Sequence, residues 1–480
     1  MYPMHMPGHK RQTGSQWPGH FPNPFSVDIT EIDGFDNLHH PEGILKKSLE
    51  WAAGVYGADR SYYLVNGSSG GILAAISAAV RPGGTILISR NCHKAVYHGV
   101  ILNQLRAEYV YPQIIDDLGI QGGINACDVE KVLKEQPEIQ AVLIVSPTYD
   151  GVVSDIEAIA KVVHKAKLPL IVDEAHGAHF PFGGAAFPVS ALDLGADLVI
   201  QSLHKTLPSL TQTAILHAKC GLVNLERLER YLQMYQTSSP SYVLMAGIES
   251  CIYEMEQHGA ELMEQFAERL LAIREPLQKM RHLKLLDSEY VGVHGVFDVD
   301  RSKLVISCRG CVCDAGEKQI AVTGEILAGW LREKYHLEME MCGADYVVAI
   351  ATAWDSVEGL LRLRDALLEL DEELGASGTQ KVRSNSQEEK ACAVQEIRPV
   401  VRMKMGDAME ADVEQVLLEK SVGLVSAEFI YLYPPGIPIV APGELMTEQI
   451  LEQVLYDQRI GLPVQGLADS SGRRIKVVVE

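Results

Sequence analysis

The strongest constraint on the fold is a regular alternation of short apolar runs and amphipathic segments in the first half of the chain. The apolar runs have the length of strands and cover residues 108–111, 141–146 and 168–173, whereas residues 127–134 and 155–165 have helical spacing. Strands that alternate with helices in this way form parallel sheets, because each helix returns the chain to the same edge. The sequence therefore predicts an α/β fold with a mainly parallel sheet.

Composition and charge limit the classes of function. The chain has 480 residues, 47% hydrophobic and 22% charged, and no stretch reaches the roughly 20 apolar residues that span a bilayer. Residues 1–10 lack the apolar core of a secretion signal, which predicts a cytoplasmic protein. The formal net charge of −21 repels nucleic acid and anionic membranes and would suit a cationic small substrate.

The cysteines do not predict a disulfide framework or a metal site. There are nine of them, an odd number, and the chain shows no secretion signal, so free thiols are expected. Cys308, Cys311 and Cys313 form the tightest cluster, but a structural zinc site needs four ligands. No second Cys/His pair stands at a matching spacing, and no metal is predicted.

Changes in pattern divide the chain into five segments. A stretch rich in Pro, Gly and His predicts an extended arm, which must lie on the main domain or on a partner subunit. In the last segment, residues 412–419 and 446–458 are expected to be helical. The predicted segments are an N-terminal arm at 1–43, a large domain at 44–280, a small α+β domain at 281–374, a linker at 375–396 and a C-terminal domain at 397–480.

A glycine-rich turn after the first predicted strand indicates an anion site. The turn is Asn66-Gly67-Ser68-Ser69-Gly70-Gly71, and a helix at 72–80 follows it. Glycines permit close approach, hydroxyls donate hydrogen bonds, and a helix N-terminus carries partial positive charge. Ser68, Ser69 and Gly70 are therefore predicted to hold a phosphate.

Two further strand ends carry single residues suited to ligand binding. His93 follows the strand at 85–89, at the sheet edge where ligands bind in open parallel sheets, and its ring could stack on a flat ligand. Asp173 ends the apolar run at 168–173. A carboxylate in such a buried position needs a partner, which predicts a cationic group close to Asp173.

A lysine follows the next predicted strand, in the stretch Gln201-Ser202-Leu203-His204-Lys205-Thr206. Its amine is a candidate for covalent catalysis, because a lysine can form an imine with an aldehyde cofactor. We interpret Lys205 as the imine lysine of a pyridoxal phosphate enzyme, with Asp173 keeping the pyridine nitrogen protonated. The other predicted contacts are Ser202 and His204 with the phosphate, and His93 and Ala175 with the two faces of the ring.

Two other motifs overlap these residues. Gly67-Ser68-Ser69-Gly70-Gly71 fits the G-x-S-x-G pattern of α/β-hydrolases, and Ser69, Asp173 and His204 follow the order of their triad, although no His-Gly-Gly run precedes the serine. Asp173-Glu174-Ala175-His176 matches the metal-binding motif of some helicases. Those enzymes need a phosphate loop with a Gly-Lys dipeptide, which this chain lacks. The hydrolase stays open as an alternative, and the helicase is disfavoured.

The chain resembles the bacterial type of ornithine/lysine/arginine decarboxylases, within the aspartate aminotransferase fold class. The motifs that carry the resemblance span nearly the whole chain and are Met6-Pro7-Gly8-His9-Lys10, Asp36-Asn37-Leu38-His39-His40-Pro41-Glu42-Gly43, Asn66-Gly67-Ser68-Ser69-Gly70, Cys92-His93-Lys94, Pro147-Thr148-Tyr149-Asp150-Gly151, Asp173-Glu174-Ala175-His176, Ser202-Leu203-His204-Lys205-Thr206, Thr237-Ser238-Ser239-Pro240 and Tyr433-Pro434-Pro435-Gly436. The resemblance implies a fold-type I pyridoxal phosphate enzyme with a large mainly parallel-sheet domain, a small α+β domain and a C-terminal α+β domain.

The resemblance also implies further features of the site and the assembly. His176 is included among the cofactor-binding residues. A homodimer with shared active sites is implied, in which Thr237 or Ser238 reaches the neighbour's phosphate. Larger relatives carry an N-terminal wing domain, and the start of this chain close to Met6 makes the compact form without that wing the expectation.

The activity implied by the resemblance is α-decarboxylation of a basic amino acid, with arginine slightly favoured over lysine and ornithine. The amine product would enter polyamine metabolism, and Lys205 or His204 would return a proton to Cα. The distal cation of the substrate needs a carboxylate, for which Glu31, Asp33 and Asp36 are candidates. An aminotransferase of the same fold and a non-catalytic cofactor-binding relative are the alternatives.

Overall fold

The computed structural model describes residues 1–11, 23–315, 318–376 and 397–479. Its centre is a seven-stranded sheet in which six strands run in one direction and one strand, Ala214–Ala218, runs in the other. In spatial order the strands are Arg60–Leu64, Ala214–Ala218, Leu198–Gln201, Leu170–Asp173, Ile139–Val145, Thr85–Ser89 and Arg106–Val110. The mainly parallel sheet predicted from the alternating pattern is therefore present.

Alternate residues of each strand face opposite layers of helices. In the strand Ile139–Val145, Val142 and Ile144 belong to one hydrophobic core, and Ala141 and Leu143 belong to the other. Both faces of the sheet are consequently buried, as is usual for parallel sheets. Gly67–Ala79, Lys94–Leu102 and Leu225–Tyr235 cover one face, and Ile44–Tyr56, Ala126–Glu135, Ile156–Lys165 and Tyr242–Leu277 cover the other.

One helix starts earlier than the sequence predicts. The helix expected at 72–80 begins at Gly67, so the glycine-rich turn forms its first turns. Glycine is about 1 kcal/mol less favourable than alanine in a helix, which is why the pattern places the start too late. Close packing requires glycine here, since a β-carbon on Gly71 would lie 2.5 Å from the side chain of Leu64.

A smaller domain follows the long helix Tyr242–Leu277. Its antiparallel sheet contains, in order, Lys284–Leu285, Lys303–Ser307, Tyr346–Ile350 and Met341–Cys342. The helix Gly324–Tyr335 packs on this sheet, and Val357–Ala376 packs against the long helix. Sheet and helices together give this domain the predicted α+β character.

The first residues of the N-terminal arm lie on the small domain. Tyr2–Met4 pairs in parallel with Leu337–Met339. The side chain of Lys10 is buried, donates a hydrogen bond to the carbonyl of Ile350 at 2.6 Å, and lies 3.5 Å from the carboxylate of Asp355. The first residues of the arm therefore lie on the small domain, whereas the two expected positions were the main domain and a partner subunit. Later in the arm, Nε2 of His39 lies 2.8 Å from the carbonyl of Thr237 in the large domain.

The C-terminal segment 397–479 contains two small sheets, and one predicted helix in it is wrong. Residues 412–419 were expected to be helical, but Val413–Leu417 is a strand that pairs with Arg474–Val478. Pairing with a distant strand overrides the helical spacing of the apolar residues. The expected helix at 446–458 is present as Glu448–Arg459. The other sheet contains Ile437–Val440, Ile430–Leu432 and Val464–Gln465, and the short helix Met405–Glu410 precedes both sheets.

Most of the predicted linker at 375–396 lies outside the described residues. Within the described ranges, no helix has the length and apolar character needed to cross a membrane. The same ranges contain no group of three or more His, Cys, Asp or Glu side chains placed to hold a metal ion.

Candidate active site

A cavity of about 310 Å³ opens at the carboxyl ends of the parallel strands. Eight of the twelve predicted site residues line it, namely Ser68, Ser69, His93, Asp173, Ala175, His176, His204 and Lys205. The other four do not, namely Gly70, Ser202, Thr237 and Ser238. The sheet therefore brings together side chains that are widely separated in sequence, as expected for an open parallel sheet.

Lys205 projects into the cavity from a short helix, Leu203–Thr206, that directly follows a strand. Its Nζ lies 2.9 Å from Nε2 of His176. Loss of hydration lowers the pKa of Lys205 to about 8, although the charge of Asp173 acts in the opposite direction. An amine with this pKa is partly unprotonated near neutral pH, and it can therefore act as a nucleophile towards a carbonyl group.

Asp173 lies at the end of the strand Leu170–Asp173 and is 4% exposed. One carboxylate oxygen accepts a hydrogen bond from the backbone N–H of Ala175 at 3.1 Å. In the described part of the chain the carboxylate has no ion-pair partner within 4 Å, and burial raises its pKa while Lys205 lowers it. A protonated pyridine nitrogen would supply the missing positive charge.

The start of the helix Gly67–Ala79 forms a candidate anion-binding site in the same cavity as Lys205 and Asp173. Its N-cap residue, Asn66, makes no side-chain capping hydrogen bond, so the first backbone N–H groups have no side-chain acceptor at the cap. The hydroxyl of Ser202 is fully buried and has no hydrogen-bond partner among the described residues. Backbone N–H groups at the helix start, together with Ser68 and Ser69, which line the cavity, fit a phosphate group.

His93 forms one wall of the cavity and is held in a fixed orientation. It caps the helix Lys94–Leu102, where its Nδ1 accepts a hydrogen bond from the backbone N–H of Ala95 at 3.1 Å. Burial, followed by the charge of Lys205, lowers the pKa of His93 to about 3. The ring is therefore neutral at physiological pH and suited to stacking on a flat ligand.

The two remaining histidines are also neutral. Nδ1 of His204 lies 2.9 Å from the carbonyl of Thr213 and donates to it, while burial lowers the pKa of His204 to about 4. Burial and the charge of Lys205 lower the pKa of His176 well below its usual range. When Nε2 of His176 accepts from Lys205, its Nδ1 carries the hydrogen, and this atom has no partner among the described residues.

This geometry contradicts the hydrolase interpretation. Asp173 accepts a hydrogen bond from a backbone N–H and none from any histidine that the structure describes. His204 uses its Nδ1 on the carbonyl of Thr213, which leaves no place for a triad carboxylate. Ser69 makes no side-chain hydrogen bond with another described residue, so the three residues do not form a triad.

The predicted carboxylates for the distal cation do not line the cavity. The carboxylate of Asp36 accepts backbone hydrogen bonds from residues 37, 42, 43, 45 and 46, and it therefore stabilises the start of the helix Ile44–Tyr56. Glu31 and Asp33 are also absent from the lining. Within one chain, the assignment of these three residues to the substrate is wrong.

Thr237 and Ser238 are exposed and lie outside the cavity of their own chain. The carbonyl of Thr237 is 2.8 Å from Nε2 of His39, and its hydroxyl accepts from the backbone N–H of Ser239 at 3.2 Å. The loop therefore packs beside the Asn37-Leu38-His39-His40 segment. Its predicted contact with a neighbour's phosphate stays a prediction.

Sequence reasoning missed an acidic residue from the small domain. Glu340 lines the cavity, where one carboxylate oxygen accepts a hydrogen bond from the hydroxyl of Tyr149. The other oxygen accepts from the backbone N–H of Met6 at 2.9 Å. Tyr149 belongs to one of the recognised motifs, but no pattern in the sequence distinguishes Glu340 from the many exposed glutamates.

The loop Tyr433-Pro434-Pro435-Gly436-Ile437 of the C-terminal domain closes the remaining side. The carbonyl of Gly436 accepts from the backbone N–H of Lys94 at 3.1 Å. The ammonium of Lys94 lies 4.8 Å and 5.1 Å from the ring centres of Tyr431 and Tyr433. The sequence analysis included Tyr433-Pro434-Pro435-Gly436 among the family motifs but gave this loop no place in the site.

The sheet, the small domain and the cavity at the strand ends define an α/β protein of the fold-type I class. The family model described as "Orn/Lys/Arg decarboxylase, major domain" matches residues 1–356, and the model of the family's C-terminal domain matches residues 386–460. The chain belongs to this family of decarboxylases, which confirms the resemblance stated from the motifs.

Individual relatives agree with this assignment. The chain is 33% identical to a protein named arginine decarboxylase from Bacillus subtilis (strain 168), over 99% of this chain and 94% of that protein. It is 25% identical to the inducible lysine decarboxylase of Escherichia coli (strain K12), over 93% of this chain and 73% of that protein. The solved structure of lysine decarboxylase A from Pseudomonas aeruginosa has a TM-score of 0.77 at 20% identity, covering 99% of this chain and 81% of the other, and confirms the fold.

Proposed function

We propose that this protein is a pyridoxal 5′-phosphate-dependent carboxy-lyase that removes the α-carboxyl group of a basic amino acid and releases CO₂ and an amine. The observation that carries the proposal is that the amine of Lys205 and the buried carboxylate of Asp173 line the same cavity. Arginine is the favoured substrate, because the relative named arginine decarboxylase is 33% identical, against 25% for the lysine decarboxylase of E. coli.

The chain offers a contact for each part of this cofactor. Lys205 would hold the aldehyde carbon, Asp173 would hold the pyridine nitrogen, and the start of the helix Gly67–Ala79 with Ser202 would hold the phosphate. When bound, pyridoxal phosphate supplies a conjugated ring that accepts the electron pair left when the bond from Cα to the carboxyl carbon breaks. His93 and Ala175 would face the two sides of that ring and keep water away from it.

Lys205 is the best placed donor for the proton that replaces CO₂ at Cα. A pKa of about 8 lets its amine hold a proton near neutral pH and release it at the reacting carbon. His176, at 2.9 Å from Nζ, orients the amine. His204 is a poorer donor, because its pKa is about 4 and its Nδ1–H is committed to the carbonyl of Thr213.

Two carboxylates besides Asp173 support a cationic substrate. Glu340 and Asp150 both line the cavity, and they come from the small domain and from the loop after the strand Ile139–Val145. A guanidinium or ammonium group could pair with either carboxylate. Glu340 and Asp150 therefore replace the three acidic residues of the arm as candidates for binding the distal cation of the substrate.

The assembly and the physiological role complete the proposal. We propose a cytoplasmic homodimer in which the exposed Thr237 and Ser238 contact the partner's cofactor phosphate, and an amine product that serves polyamine metabolism. Light scattering on the cofactor-loaded protein should give twice the chain mass of 52.7 kDa. A monomer with full activity would contradict the shared site.

The function is tested with the cofactor-loaded protein and arginine, lysine and ornithine as substrates. We expect visible cofactor absorbance, stoichiometric CO₂ and amine, and covalent fixation of the cofactor to the peptide that contains Lys205 after borohydride treatment. Lys205→Ala should lower CO₂ release by about a thousandfold or more and prevent fixation, since both proton transfer and attachment are lost. The exposed Lys161→Ala serves as the matched control and should keep both.

Other outcomes distinguish the alternatives. A keto acid without CO₂ would identify an aminotransferase. Absorbance with no turnover of the three amino acids would support a non-catalytic cofactor-binding relative. Full activity of Lys205→Ala would show that the assignment of this lysine is wrong.

A further inference from the structure

A second cavity, of about 220 Å³, lies next to the cofactor cavity, where the large, small and C-terminal domains meet. The two cavities share a wall formed by Gln121, Asp150 and the Pro434-Pro435 segment with Ile437. None of the residues assigned to the cofactor lines this second cavity. A small molecule that leaves the cofactor cavity past this wall would meet the second cavity first.

Two buried carboxylates line the second cavity, and each has one oxygen without a hydrogen-bond partner in the described part of the chain. These atoms are Oδ1 of Asp150 and Oδ2 of Asp457. Asp457 is 1% exposed, and its other oxygen accepts from Nε2 of Gln453 at 2.9 Å. Burial raises the pKa of both carboxyl groups to about 7, so neither has a cation that stabilises its charged form.

The rest of the lining supplies no free positive charge. Its one described cation is Arg90, whose guanidinium is 3.0 Å from the carboxylate of Glu444, 2.9 Å from the hydroxyl of Tyr97 and 3.2 Å from the carbonyl of Ile439. Much of the remaining wall is apolar, formed by proline and aliphatic side chains. The cavity is thus shaped for an alkyl chain that carries positive charge and no negative charge.

We propose that this cavity binds the amine product of the reaction, an alkyl chain with a cation at each end. The proposal rests on the proposed function, because decarboxylation is the step that removes the negative charge. A basic amino acid carries two cations and one carboxylate, and that carboxylate would be repelled by Asp150 and Asp457 and would find no free cation. Its amine product keeps both cations and can pair with both carboxylates.

The cavity therefore selects product over substrate at the wall that it shares with the catalytic site. Product held there keeps the two carboxylates neutralised and lies beside Asp150, which the two cavities share. Accumulated product would bind in the same place and slow further release. Asp457 lines the second cavity only, which makes it the residue that separates product binding from catalysis.

The test uses the cofactor-loaded enzyme after borohydride reduction, which fixes the cofactor to Lys205 and prevents a new amine from reacting with it. Binding of agmatine (the amine formed from arginine), 1,5-diaminopentane, 1-aminopentane and arginine is then measured by isothermal titration calorimetry. We expect both dications to bind, and 1-aminopentane and arginine to bind at least about tenfold more weakly. The reason is that 1-aminopentane has a single cation, whereas the carboxylate of arginine is repelled by Asp150 and Asp457.

Two variants locate the site. Asp457→Asn should weaken binding of agmatine by about tenfold or more, because one charge pairing is lost. Glu452→Gln, an exposed change on the same helix, is the matched control and should leave binding within about twofold. Gln453→Lys places a cation of the protein beside Asp457 and should also weaken binding, which tests the same carboxylate if Asp457→Asn does not fold.

Several results would overturn the proposal. These are no binding of dications to the reduced wild-type enzyme, arginine binding as tightly as agmatine, or unchanged binding in folded Asp457→Asn or Gln453→Lys protein. Failure of the proposed function has a different signature, since CO₂ would not be released or borohydride would not fix the cofactor to Lys205. The two ideas are thereby tested separately.

Discussion

The two sides of the catalytic cavity differ in how the chain builds them. The cofactor side consists of residues at strand ends of one sheet. Asp173 is the last residue of its strand, and Lys205 and His93 each come a few residues after a strand ends. The substrate side comes from other parts of the chain, with Glu340 from the small domain and the 433–437 loop from the C-terminal domain. The proposed contacts with the cofactor thus lie at the sheet, whereas Glu340, one of the two candidates for binding the substrate's distal cation, comes from a surrounding domain.

This difference explains how far the sequence could predict the site. The positions of Lys205 and Asp173 follow from a local rule, because the carboxyl ends of neighbouring parallel strands meet at one edge. The position of Glu340 in the site does not follow from any such local rule. Its contact with Tyr149 spans 191 residues and depends on how the small domain docks on the sheet, which no period or motif encodes.

The same distinction applies to the fold. The buried strands and amphipathic helices of the large domain were predictable because burial on both faces leaves a strong pattern. The strand Val413–Leu417 was not predictable from the sequence, because it forms by pairing with Arg474–Val478, some sixty residues later. The contacts of Asp36 were not predictable either. Its carboxylate accepts hydrogen bonds from five backbone N–H groups and does not line the cavity of its own chain.

The largest effect on the cofactor side is expected for Asp173→Asn, which keeps the shape and removes the charge. Breaking a buried ion pair costs on the order of 3–5 kcal/mol. We therefore expect kcat for CO₂ release to fall by at least about a hundredfold, with the cofactor still attached to Lys205. Steady-state kinetics and the absorbance spectrum of the cofactor-loaded variant check both parts.

Glu174→Gln is the matched control for this prediction. Glu174 is the next residue, is 1% exposed, and its carboxylate accepts hydrogen bonds from Ser190, Ala191 and Gln201 without lining the cavity. Glu174→Gln should lower thermal stability and leave kcat within a few-fold of the wild-type value. Equal losses of kcat in both variants would show that Asp173 acts through packing and not through its charge.

On the substrate side, Glu340→Gln should raise KM for arginine by about tenfold, the effect of losing one charge-assisted hydrogen bond. The value of kcat should change less, because the proposed partner of Glu340 is the distal cation of the substrate and not the reacting carbon. Glu338→Gln is the control, since Glu338 lies two residues earlier and pairs with Arg332 at the surface. If kcat fell and KM did not change, Glu340 would belong with the cofactor side, and the division between the two sides would fail.

The smallest effect is expected where the C-terminal loop contacts the cofactor side. Gly436 has φ of +85°, and a β-carbon there would lie 3.4 Å from the ring of His93. Gly423 has φ of +87° with nothing within 4 Å of such a carbon, so alanine introduces similar backbone strain there without touching the site.

Gly436→Ala and Gly423→Ala therefore form a matched pair that separates strain from contact. Each should lower the free energy of unfolding by about 1 kcal/mol, measured by denaturant titration. Gly436→Ala should in addition lower kcat/KM several-fold, because the added methyl group presses on the ring of His93 that faces the cofactor. If both variants kept the wild-type kcat/KM, the loop would only cover the cavity, and His93 would be positioned by the large domain alone.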